Sequence, residues 1–270
     1  MRGLIQRLVL ATALLIHAAS ASAADGDARR ELLNVKLGMT LDEAKAALLS
    51  LKPPLAPAPG MPEVKTVVPL LPNGAFVASY YAPQTSVVPG TTGKSATIQF
   101  SPPPGASRAI AISQTVQYGS KDAPTLENLL TALHEKYGKP HQTLPTAQGW
   151  AKLYWAWSPE GVPLAAEQLQ RCDGIGQSLA AGQRTPLFRS QNFLNEANQL
   201  VTASRKANCG LYAYADYGSA NSFVQGLNVV VADLAAADAA LAQTVEEVDR
   251  LLNAQHDKAL EDAKSRKPDL

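Results

Sequence analysis

Hydrophobic positions along the chain follow two periods. In GMTLDEAKAALLSLKPP, Leu41, Ala44, Leu48 and Leu51 recur every three or four residues, which predicts a helix with one buried stripe. Thr40 followed by Glu43 forms a capping box at its start, and Pro53-Pro54 ends it. A second helix is predicted over TLENLLTALHEKYGKP, with Leu126, Leu129, Leu130, Leu133 and Tyr137 on one stripe, Gly138 placed for a C-cap and Pro140 beyond it. Six stretches alternate instead. Phe76, Ala78 and Tyr80 share one face of a strand, as do Ala96, Ile98 and Phe100, and then Ile110, Ile112, Val116 and Tyr118, with Gln114 the exception. Leu153, Trp155 and Trp157 alternate with Lys152, Tyr154 and Ala156. After Cys209, Leu211, Ala213 and Ala215 alternate with Tyr212, Tyr214 and Asp216. Phe223 to Ala232 is a valine-rich last strand.

Twelve of the nineteen prolines fall between Pro53 and Pro104, which argues against helix there. Alternation implies strands buried on one face, as in an antiparallel sheet covered on one side. Residues 159–208 read as a long polar excursion holding Cys172, with Gly174-Ile175-Gly176 as a turn and a helix near Gln191 to Ser204. From Asp233 to about Lys264 the pattern is helical again, with Leu241, Val245, Val248, Leu252 and Ala259 on a narrow stripe. That helix is expected to pack across the sheet with a solvated end, or to meet a partner through it. The expected fold class is therefore α+β: an antiparallel sheet of about six strands, two packed helices and a long C-terminal helix.

Thr40-Leu41-Asp42 and Ala47-Leu48 recur 85 residues later as Thr125-Leu126-Glu127 and Ala132-Leu133. The echo suggests a tandem pair of helix-plus-three-strand units, over 24–122 and 123–233, with 159–208 inserted in the second and 234–270 as helix and tail. LGMTLDEAKAAL resembles the start of small exported α+β modules, among them the β-lactamase inhibitor protein and the small lipoprotein of the outer-membrane barrel-assembly machinery. TALHEKYGKP with the Trp-rich strand 150–157 resembles the helix, glycine and strand of the same modules. The whole chain also resembles exported proteobacterial proteins without assigned roles. Known members of the modules bind other proteins and are not catalysts. The resemblance therefore implies a binding role, although this chain lacks the lipoprotein's anchor cysteine and is much longer than one module.

The first residues change the setting. Arg2 and Arg7, an apolar run from Leu8 to Ile16 and the small residues Ala21-Ser22-Ala23 make a secretory signal, with cleavage between Ala23 and Ala24. The run is too short for a membrane span, and no later stretch reaches that length. The mature chain is expected in the periplasm, or secreted. Without residues 1–23 it carries 22 basic and 23 acidic side chains. That balance supplies no field for gathering nucleic acid or anionic lipid, and Lys94, Arg108, Arg171 and Lys206 are scattered. In an oxidising compartment the only two cysteines, Cys172 and Cys209, are expected to pair.

Catalytic signatures are absent from the sequence: no G-x-S-x-G, P-loop, HExxH or Rossmann glycine pattern occurs. His134, His141 and His256 are too dispersed for a metal pair, so no cofactor or metal is expected. Asp216 shares a strand face with Tyr212 and Tyr214, a candidate polar cleft for acid–base work. With Tyr154 from the neighbouring alternation, the tyrosines are equally a candidate exposed binding patch. The leading expectation is a non-enzymatic periplasmic binding or accessory protein that meets an unidentified envelope protein through a sheet face or the final helix. The alternatives are a cofactor-free hydrolase using Asp216 and the nearby tyrosines, or a protein inhibitor of an exported hydrolase that acts through protruding loops.

Overall fold

The computed structural model describes residues 26–56, 63–68, 70–83, 92–147, 149–180, 193–264 and 266; the expected cleavage site Ala23/Ala24 lies outside them. A two-stranded hairpin, β1 (Glu31–Leu32) and β2 (Val35–Lys36), leads into helix α1 (Leu41–Leu49). Strands β3 (Glu63–Val67), β4 (Ala75–Pro83), β5 (Gly93–Phe100) and β6 (Ala109–Gln117) follow. Helix α2 (Leu126–Tyr137) then precedes β7 (Gln142–Ala147) and β8 (Trp150–Ala156). Helices α3 (Ala166–Ala180) and α4 (Phe193–Ala207) intervene before β9 (Leu211–Ala220) and β10 (Phe223–Asp233), and α5 (Leu234–Lys264) closes the chain.

One eight-stranded antiparallel sheet carries all of this, in the order β3-β4-β5-β6-β10-β9-β8-β7. Each half is a four-strand meander preceded by a helix. The last strands of the two halves, β6 and β10, join them with Ile112 opposite Val231 and Val116 opposite Leu227. The α+β class and the long final helix are as the sequence predicts. The sheet has eight strands rather than about six, and each unit has four strands rather than three. The two strands missing from the sequence reading, β3 and β7, are the sheet's edges. An edge strand buries less on either face, so alternation fades; β7 is exposed from Thr143 to Thr146 and contains Pro145, tolerated at an edge because no inner ladder needs its missing amide.

On one sheet face, α1, α2 and the β1–β2 hairpin cover a core in which Leu48, Leu133 and Tyr137 meet Ile98, Phe100, Trp155 and Val231. Both helices start as the sequence predicts. Thr40 Oγ1 accepts from the Glu43 N–H while Glu43 Oε2 accepts from the Thr40 N–H at 2.8 Å, and Thr125 Oγ1 accepts from the Asn128 N–H. Gly138 ends α2 at φ 78°, a conformation a side chain rarely adopts.

The other face is covered too, which corrects the expectation of a one-sided sheet. Helix α3 crosses it, packing Leu169, Cys172, Ile175 and Leu179 on Ile110, Tyr154, Tyr212 and Val230. The segment 159–208 is thus largely helical where described, and Gly174-Ile175-Gly176 lies inside α3 rather than in a turn. Gly176 is there for contact: a Cβ at this position would stand 2.3 Å from Tyr212 Cδ1, so only glycine lets α3 approach the ring. Two helical glycines weaken the propensity by about 1 kcal/mol each, which is why the periodicity is faint in sequence. The Cys172–Cys209 disulfide, with Cα atoms 5.8 Å apart, staples α3 to the approach to β9. Helix α5 begins at Asp233, whose Oδ1 accepts from the Ala236 N–H and whose Oδ2 pairs with Arg30. Its first half packs Leu241 and Val248 on Val68 and Leu71. No helix among the described residues is long and apolar enough to cross a membrane.

Candidate functional site

Tyr154, Tyr212 and Tyr214 do come together. In the antiparallel register Tyr154 of β8 lies opposite Tyr214 of β9, with ring centroids 5.2 Å apart, and Tyr212 is two residues along the same face. They do not form an exposed patch: Tyr154, Tyr212 and Tyr214 are 4%, 0% and 5% exposed beneath α3. The reason is the second covered face. Tyrosine has an apolar body that alternates like a core residue and a hydroxyl that looks like a surface group in sequence.

Each hydroxyl that needs a partner finds a carboxylate. Tyr212 donates to Asp173 of α3, which also accepts from Gln177 Nε2 at 2.8 Å. Tyr214 donates to Asp216 Oδ2 at 2.9 Å, and Asp216 Oδ1 has no hydrogen-bond partner. Burial raises the Tyr212 and Tyr214 hydroxyls well above the ordinary tyrosine range, and the neighbouring Asp173 and Asp216 push further in the same direction. Tyr154 is pushed up to about 12 by burial and then by the charges of Asp173 and Asp216. At neutral pH all three phenols therefore stay protonated. Tyr212 and Tyr214 are donors to carboxylates, and none of the three is a base at neutral pH. Asp173 was missed in the sequence because its helix read as a loop; the polar side chain four residues before Gln177 was the available signal.

Among the described residues, clefts form in other parts of the molecule, and three of them are lined by none of these tyrosines or their carboxylate partners. The first, of about 360 Å³, lies where the start of α5 meets the β5–β6 connection, with Arg30, Arg108 and Asp233 over a floor of alanines. Its charges are committed: Arg30 pairs with Asp233, and Arg108 lies 3.9 Å from Glu43. The second is a trough of about 590 Å³ beside Arg205 and α5 residues Val245 to Asn253. The third, of about 200 Å³, is a proline-lined notch with Glu247 on its wall.

The histidines do not converge. His134 and His256 are exposed, and no group of three or more metal-ligating side chains is found among the described residues. His141 has a structural post. Its Nδ1 accepts from the Ala156 N–H at 3.1 Å, extending the β7–β8 ladder with a side chain, and its ring meets Trp157 edge-on. Burial holds its pKa below the usual 6.5, and the Arg29 guanidinium adds to this. A base with a lowered pKa in the folded state stabilises the fold above its unfolded pKa. That contribution is lost as pH falls below 6.5, because the unfolded chain takes up the proton first. The urea midpoint is expected to drop between about pH 7.5 and about pH 5, and to drop less in His141→Gln. An equal drop in both proteins would remove His141 from the account.

No protein-family model, curated protein or solved structure matches the chain.

Proposed function

We propose that the protein is a non-catalytic binding or accessory protein of an oxidising compartment, the bacterial periplasm, and that it meets a partner protein through the free end of α5. The carrying observation is the state of that helix after Leu251. Every described residue from Leu252 to Lys264 is exposed, including Leu252 at 42% and Leu260 at 47%. Thirteen residues extend the helix by about 20 Å beyond its last packed turn. Two leucines eight apart fall within one broad side of it, about 80° apart around the axis, wide enough for an apolar stripe of the kind amphipathic helices lay against a partner.

The disulfide supports an oxidising compartment, since such bonds rarely persist in the cytosol. The resemblance of residues 35–50 and 124–160 to exported modules whose known members bind proteins points the same way. The hydrolase reading has less support: Asp216 is held by Tyr214, and that phenol cannot serve as a base at neutral pH. The inhibitor reading relied on protruding loops in the Pro-rich segment or within 159–208, and in the latter Ala166–Ala180 and Phe193–Ala207 form α3 and α4.

The test is a mature chain ending at Leu251, compared with the full chain and with Leu252→Glu/Leu260→Glu, in crosslinked cell envelopes. The full chain is expected to capture a defined partner that both variants lose, with thermal midpoints within about 3 °C of wild type. Capture of the same partner by both variants would rule out the helix, and no partner for the full chain would rule out protein binding.

A further inference from the structure

Helix α3 covers only part of its sheet face. Beyond the buried tyrosines the face continues for two more rows of side chains. The nearer row runs Lys152, Asp216, Asn228 and Thr115 across β8, β9, β10 and β6, each opposite the next in register. The farther row runs Trp150, Gly218, Gly226 and Gln117 across the same strands. Two adjacent glycines in the middle of a sheet leave a gap in the side-chain layer, and the flanking residues fill it lying down. A Cβ on Gly218 would stand 2.6–2.8 Å from Trp150 Cε2, Cζ2 and Cη2, so the six-membered ring lies flat on the β9 backbone. A Cβ on Gly226 would stand 3.3 Å from the Gln117 amide, which lies over β10 in the same way. Trp150 is nevertheless 48% exposed, so its other face is turned to water. The result is a flat shelf, about 14 Å from β8 to β6 at one strand spacing of 4.8 Å per step.

We propose that this shelf binds a neutral glycan chain. A pyranose ring offers a face of C–H bonds and a rim of hydroxyls. The first packs on an exposed indole face, and the second exchanges hydrogen bonds with amides and carboxylates. The shelf supplies both: the plate of Trp150, the amides of Gln117 and Asn228, and the Thr115 hydroxyl, which donates to Asn228 Oδ1 at 3.4 Å and keeps its acceptor lone pairs. Charge decides against the other occupants. Lys152 and Asp216 stand opposite one another in register with opposite formal charges, so the shelf has no net charge, and the Lys152 ammonium lies over the Tyr214 ring. A nucleic acid or polyanionic saccharide would need several cations. A protein partner would want an apolar centre, whereas here one aromatic ring is set among glycines and amides.

The site is separate from the free end of α5 and stands or falls independently of it. The experiment is a titration of the full mature chain and its variants with maltohexaose, cellohexaose and chitohexaose, and with polygalacturonate as the charged probe, followed by calorimetry in every protein and also by tryptophan emission in those that keep Trp150. Trp155 and Trp157 are 0% and 2% exposed, so the change reports on Trp150. At least one neutral hexasaccharide is expected to bind saturably, with Trp150→Ala weakening it at least about tenfold and Trp150→Phe retaining most of the affinity. Gln117→Ala and Asn228→Ala are expected to weaken it by about threefold each, and they decide the matter if Trp150→Ala fails to fold. The chain ending at Leu251 is expected to bind as well as the full one. The proposal is overturned if no neutral oligosaccharide binds, if all three shelf variants bind as wild type does, if polygalacturonate binds as tightly, or if Trp150→Ala instead loses an envelope protein.

Discussion

Replacing Cys172 and Cys209 together by alanine is expected to destabilise the protein by about 4 kcal/mol, the largest loss available from a single link. The disulfide closes a loop of 37 residues, and in the chain-entropy model a loop of that size restricts the unfolded chain by roughly this amount. The loop holds α3 and α4. Without the bond, α3 is kept on the sheet by Leu169, Ile175, Leu179 and the Asp173–Tyr212 hydrogen bond. The reduced protein should therefore lose its cover over Tyr154, Tyr212 and Tyr214 before it loses the rest of the sheet. Urea unfolding of the oxidised wild type and the double variant measures the total. Tyrosine fluorescence below the main transition measures the early opening. A difference below about 1 kcal/mol would mean that the reduced unfolded chain is already compact, and that the staple matters for assembly rather than for stability.

Trp155→Ala is expected to cost about 4 kcal/mol, within the range for truncating a fully buried aromatic residue. Trp155 is 0% exposed, its ring lies 5.2 Å from that of Tyr137, and its Nε1–H donates to the Gly138 carbonyl at 2.9 Å. The substitution leaves a cavity between α2 and the sheet and also strips the partner from a carbonyl at the end of α2. Such a loss approaches the whole stability of a modest domain, so a molten or poorly expressed product is the expected outcome at physiological temperature. Trp150→Ala on the opposite face should stay within about 1 kcal/mol of wild type, because that ring is half in water. Equal midpoints for the two variants, measured by denaturant unfolding, would contradict the placement of Trp155 in the core and of Trp150 at the uncovered end of the other face.

The two tryptophans show how far periodicity carries. Alternation in 150–157 places Trp155 and Trp157 on one face correctly, and the same alternation identifies six of the strands in the main sheet. It fails at β3 and β7 because edges bury too little to leave a pattern, at Ile110 because an irregularity opposite Gln99 and Phe100 turns it to the α3 side, away from Ile112 and Val116, and at α3 because Gly174 and Gly176 interrupt the helix where contact with Tyr212 requires it. The candidate site was legible as a set of residues sharing a face: Tyr154, Tyr212, Tyr214 and Asp216 are neighbours, as their strand positions imply. Their burial was not legible, because it depends on a helix contributed by residues 166–180. Trp150 and Gln117 had no signal of their own, since their importance comes from two glycines on the strands between them.

The sequence alone determined the local elements that are driven by their own chemistry: the capped starts of α1 and α2, the glycine stop at Gly138, the inner strands and the long C-terminal helix. It also determined which two sulfurs had to pair, there being only two. Tertiary structure decided the rest: the joining of two meanders through β6 and β10, the covering of the second sheet face, the sealing of the tyrosines and the open shelf beside them. Capping and alternation are interactions within a few residues and so are written locally. Which face of a sheet meets water depends on segments distant in the chain, whose packing is only expressed once the strands have paired.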